Sequence, residues 1–154
     1  MRIGIPRALY YYRYGSMWKT FFMALDCEVI VSPQTDRRIM QNGMHCAIDE
    51  ACLSSKIYLG HVAALIGDCD YIFIPRLSDY GREREFCLKF RALPDVVRNT
   101  FRDRKVNVLS ASIGVRAGEG EMNAFMELGK KLGKKRADVF RAYTLAKQAD
   151  EAEA

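Results

Sequence analysis

Apolar positions recur along this chain with two periods, and the period switches several times. The opening "RIGIP" is a short apolar run that reads as a first strand, ended by Pro6. In "GSMWKTFFMALDC", Met17, Trp18, Phe21, Phe22 and Leu25 make a wide face at helical spacing, with Ser16 placed to cap it. "EVIVSP" predicts a second strand, Glu28 to Ser32, stopped by Pro33. Thr35 and Asp36 open a second helix, which Gly43 is expected to break. From Met44 to Ile66 the helical pattern resumes in two pieces, "MHCAIDEAC" and "KIYLGHVAALI". "LSS" is the seam between them, and Ser54 or Ser55 is a cap for the second. "DYIFIPR" predicts a third strand, whose unbroken apolar core, Tyr71 to Ile74, suits a sheet covered on both faces. "VNVLSASI" predicts a fourth.

Strands alternating with helices predict an α/β fold, a three-layer, doubly wound, mainly parallel four-stranded sheet with right-handed crossovers. The C-terminal part predicts a helical hairpin around Gly133. Its first helix presents Met122, Phe125, Met126 and Leu132, and its second turns Ala137, Phe140 and Tyr143 or Thr144 inward. Residues 1–154 are expected to form a single α/β domain, with the helical segment over roughly residues 119–150 and a frayed "DEAEA" end.

Ligand sites in such sheets form outside the carboxyl ends of the strands. "PRALYYYRYG", "SPQT" and "PRLSDYGREREFCLKFRALPD" are expected to share that edge. The last of these, Pro75 to Asp95, is the longest stretch without a periodic pattern. It carries Arg76, Arg82, Arg84, Lys89 and Arg91 together with Cys87, and long loops inside a compact domain are often functional.

Composition narrows the class. At 154 residues, 49% apolar and 28% charged, the chain can bury a real core. No stretch approaches the ~20 apolar residues that cross a bilayer, and the start lacks the apolar run of a signal peptide. A cytoplasmic protein with no membrane partner is therefore expected. The net charge is +5 and the pI about 9.0. "GKKLGKKRADVFR" holds much of that excess and would attract phosphates or nucleic acid. Most such runs are solvated helix faces, so nucleic acid is not the expected partner.

Two nucleotide motifs are absent. "GSMWKT" ends like a phosphate-binding loop, but Trp18 stands where a glycine must let backbone N–H groups wrap the phosphate. The dinucleotide fingerprint is also missing. His61, in the apolar "YLGHVAALI", reads as a satisfied core or boundary histidine. His45 and Cys46 are adjacent on a helix and point about 100° apart, so they form no dyad.

Five cysteines stand at 27, 46, 52, 69 and 87. Their odd number and irregular spacing, in a reducing compartment, favour metal or catalytic roles over disulfides, although most free cysteines are buried small hydrophobes. No C-x-x-C occurs. Cys52 lies at a helix break, where a following helix N-terminus would stabilise a thiolate. Cys87 has four basic residues near it in sequence. Cys27, Cys46 and Cys69 read as structural.

"MRIGIPRALYYYRYGSMWKTFF", "CEVIVSP", "DEACLSSK", "GHVAALIGDCDYIFIPR" and "FCLKFRALPDVVRN" together resemble the acyl-CoA dehydratase activase-related proteins. These are relatives of the dehydratase component of 2-hydroxyacyl-CoA dehydratases. Ser54 and Leu88 stand where that family usually has proline. The resemblance implies Cys52 and Cys87 as ligands of a [4Fe–4S] cluster serving electron transfer or radical dehydration. Four cysteinyl ligands are the rule for such clusters. A homo-oligomer or a partner chain, such as an acyl-CoA dehydratase or activase protein, is then expected to supply the rest. The other reading is a cluster-free binding or assembly module that meets a protein or nucleic-acid partner through its basic surface.

Overall fold

The computed structural model describes residues 1–77, 88–113 and 120–153. A four-stranded, fully parallel sheet has the order β2-β1-β3-β5, formed by β1 (Arg2–Ile5), β2 (Glu28–Val31), β3 (Tyr71–Phe73) and β5 (Val108–Leu109). The short strands β4 (Arg76–Leu77) and β6 (Ser112–Ile113) pair in parallel and carry the β3/β5 ladder onward in the same register. Ile74 and Arg76 donate N–H groups to Leu109 and Ala111 across the break. The predicted fourth strand, "VNVLSASI", is thus present as two short pieces on one line.

Alternation along the strands divides the core between two faces. Ile3, Ile5, Phe73 and Leu109 join one buried cluster with α1 (Tyr11–Ala24), α6 (Glu121–Lys131) and α7 (Arg136–Glu153). Ile72 and Ile74 join the other, with α3 (Leu53–Leu65) and α5 (Leu93–Thr100). Both faces are covered, as the apolar run Tyr71 to Ile74 predicts. Between β3 and β5 lies also the single-turn α4 (Leu88–Arg91).

Helix boundaries differ from the sequence expectation in instructive ways. α1 begins at Tyr11, so Ser16 is inside the helix and caps nothing. Tyr10, Tyr11 and Tyr14 pack against the core, and that burial extends the helix backwards. α2 (Arg37–Cys46) runs through Gly43, which is buried; the break falls at residues 47–52 instead. The hairpin of α6 and α7 turns at Gly133, whose φ of +71° suits glycine. On α7 the inward stripe is Val139, Ala142, Ala146 and Asp150, while Ala137 and Phe140 face solvent. Small residues let α7 lie close against α1, and Asp150 pairs there with Arg13. The segment expected to fray is helical to Glu153.

Candidate functional site: the carboxyl edge and the α2–α3 hairpin

Strands β1 and β2 both end at the same edge, and a buried polar network joins the loops that follow them. The Arg7 N–H donates to Ser32 Oγ at 2.7 Å. Ser32 Oγ also meets His61 Nδ1 at 2.7 Å, and Thr35 Oγ1 meets His61 Nε2 at 2.8 Å. His61 is fully buried, with both ring nitrogens engaged. Burial disfavours its charged form and Arg7 adds to that, so its pKa lies below the ordinary value of 6.5, against a smaller opposing pull from Asp36. A neutral imidazole with both nitrogens occupied and no access to solvent fastens loops together and is not placed to act as a base. The core-histidine expectation holds.

Asp36 opens α2 by accepting the Ile39 N–H at 2.8 Å. From there α2 and α3 run side by side as an antiparallel pair. Gly60 lies against the Ile39 carbonyl and Gly43 against the Lys56 carbonyl, so neither position has room for a β-carbon. Pairing helix backbones this closely requires glycine at both. His61 anchors the pair to the sheet edge. Cys52, nine residues before it, therefore stands ~13 Å farther out along the helix axis.

Cys52 is the N-cap residue of α3 and is exposed. Its Sγ lies 3.1 Å from Ser55 Oγ, and its carbonyl accepts the Lys56 N–H. The helix-start setting read from "CLSSK" is thus found, with Leu53 as the first helical residue. The remaining described cysteines have different surroundings. Burial pushes the Cys27 thiol up, and burial with Asp68 and Asp70 does the same to Cys69. Cys69 Sγ contacts the Leu65 carbonyl and packs over Gly4. Cys46, half-buried, closes α2. Cys87 and the neighbouring Arg82 and Arg84 lie outside the described residues. Among the described residues no three His, Cys, Asp or Glu side chains group as a metal site. Cys52 is therefore suited to be one ligand of a cluster, and the described residues do not complete a set around it.

The switch point of the sheet, between β1 and β3, holds a small apolar crevice lined by Leu9, Tyr10, Trp18, Tyr58 and Phe90 among others. Tyr10 and Phe90 meet edge to face across it, 6.0 Å between ring centres. Leu9, with φ +53°, takes a conformation unusual for a side chain of that size. The sequence singles out Thr35 only as a helix opener and Ser32 only as a strand end, and Arg7 not at all; the prolines that close β1 and β2 are the available signal, because they fix where the edge lies.

These features define a doubly wound α/β domain that presents the exposed thiol of Cys52 on a helical hairpin beyond its carboxyl edge. The chain belongs to the CoA enzyme activase uncharacterised domain family (DUF2229), whose profile matches residues 2–153. This agrees with the activase-related resemblance read from the motifs. No curated protein sequence matches the chain. Among the described residues no helix is long and apolar enough to cross a membrane.

Proposed function

We propose that this chain is a cluster-ligating domain of the acyl-CoA dehydratase/activase-related systems. Cys52 and Cys87 are its ligands to a [4Fe–4S] cluster, and thiolates of a second chain complete the set. The observation that carries this reading is the exposed Cys52 at the N-cap of α3, held out from the sheet by a closely packed hairpin. Such a cluster, when bound, supplies one-electron chemistry. The chain's own contribution is to hold a thiolate at a fixed distance from the sheet edge, where a partner can reach it. The second chain is either another copy or a dehydratase or activase component.

Anaerobic reconstitution with iron and sulfide, followed by measurement of bound iron and sulfide, tests this. Wild-type protein is expected to retain both, and Cys52→Ser and Cys87→Ser to lose them. Cys46→Ser is expected to behave as wild type. Equal retention in wild type and Cys52→Ser refutes the assignment, as does retention in neither, both for the chain alone and with the dehydratase or activase component added.

A second reading rests on a separate feature. Lys130, Lys134 and Arg136 line an open groove at the turn of the α6–α7 hairpin, and none of them has an ion pair among the described residues. In that reading the domain is a cluster-free module that binds an acidic partner there. It predicts binding that weakens steeply with salt and ignores Cys52→Ser.

A further inference from the structure

Arg7 is the first residue beyond Pro6, where β1 gives way to the edge loops. Its backbone is fully used: the N–H reaches Ser32, and the carbonyl accepts from the Tyr12 hydroxyl at 3.4 Å. Its side chain is in a different situation. The guanidinium stands over the Tyr11 ring at 5.9 Å, and no carboxylate pairs with it among the described residues. Its Nε is buried and has no hydrogen-bond partner. A buried, charged donor without an acceptor is rare in folded proteins and marks a place where an acceptor belongs.

The surrounding charges point to the kind of acceptor. Arg37 and Arg38 follow on the β2 side of the same edge, exposed and without ion pairs among the described residues. Asp36 is the acid between them and Arg7, and its carboxylate already accepts the Ile39 N–H. Lys19 also approaches the Tyr11 ring, at 5.7 Å. Arg7, Arg37 and Arg38 follow the carboxyl ends of β1 and β2, the edge at which such folds hold ligands. The planar guanidinium matches the oxygens of a phosphate, and a doubly charged group balances more than one cation.

We propose that Arg7 anchors a binding site for a phosphate group at the carboxyl edge, between the loops that follow β1 and β2. This assignment is independent of the cluster proposal, since Cys52 stands at the outer end of α3, ~13 Å along the helix axis from His61. The phosphate is either a free ion or the terminal group of a nucleotide-like ligand, and the two are separable by experiment.

The test titrates wild-type protein with inorganic phosphate and, separately, with adenosine 5′-monophosphate. It follows backbone amides and arginine Nε–H signals by two-dimensional NMR. Saturable shifts are expected at the Arg7 and Ser32 amides and at Arg7 Nε–H. Tighter binding of the nucleotide identifies an esterified phosphate; equal binding identifies the free ion. Arg7→Met is expected to weaken binding roughly tenfold or more, and Lys130→Met by less than about twofold. Arg7→Lys keeps the charge but loses the fork, and is expected to fall between wild type and Arg7→Met. If Arg7→Met does not fold, the wild-type shift map decides. No saturable shift, shifts centred on residues 130–136, or unchanged affinity in a folded Arg7→Met protein would each overturn the proposal.

Discussion

Gly43 of α2 lies directly against the backbone carbonyl of Lys56 in α3. A β-carbon at Gly43 would occupy the space of that carbonyl, so the two helices would have to separate. Gly43→Ala is expected to destabilise the protein by about 1–3 kcal/mol, the usual cost of overpacking a close contact, despite the higher helix propensity of alanine. Denaturant unfolding measures it. Because the hairpin carries Cys52, the same substitution should also reduce any iron retained on reconstitution, whereas Ala137→Gly, on the exposed face of α7, should not.

His61 makes stability depend on pH in a definite direction. Its folded pKa is depressed below 6.5, chiefly by burial. Above about pH 6.5 both folded and unfolded forms are neutral, and the group adds no pH dependence. As pH falls through 6.5 the unfolded chain takes up a proton that the folded chain refuses, so stability declines until the folded pKa is reached. Urea midpoints compared at pH 8 and pH 5.5 should show this decline. His61→Gln should show a lower midpoint at pH 8, from the disturbed Ser32 and Thr35 contacts, and a smaller fall on acidification.

Asp150 ties the last turn of α7 to α1 through Arg13. The carboxylate side chain is only 11% exposed, whereas that of Arg13 is 47% exposed and can rehydrate. Asp150→Ala is therefore expected to cost on the order of 1 kcal/mol, toward the lower range for a hydrogen bond to a charged group. Glu153→Ala, at the end of the same helix and exposed, should lie within about 0.5 kcal/mol of wild type. Equal thermal shifts for the two substitutions would contradict the structural role given to Asp150.

The sheet was legible in the sequence because its strands are short apolar runs bounded by proline or by charged turns. Pro6 and Pro33 fixed the carboxyl edge, and the two-sided run Tyr71 to Ile74 announced a covered sheet. What misled were residues whose local signal was overridden by packing. Gly43 reads as a helix breaker in isolation, but a neighbouring helix backbone requires it. Ser16 reads as a cap, but Tyr10, Tyr11 and Tyr14 before it pack partly buried rings against the core and extend the helix. On α7 the large Phe140 suggests the inward face, whereas close approach to α1 selects Ala142 and Ala146. At the candidate site, Cys52 was legible as a residue at a helix start. The Ser32–His61–Thr35 network was not, because it joins residues 26 to 29 positions apart.

The central claim, that Cys52 is a cluster ligand, is tested most directly by thiol alkylation mapped by mass spectrometry before and after anaerobic loading with iron and sulfide. Cys52 is exposed and is expected to be alkylated readily in the unloaded protein. After loading it should be protected, while the extent of modification at Cys46 stays the same. Cys52 alkylated to the same extent in iron-loaded and unloaded protein would contradict the account.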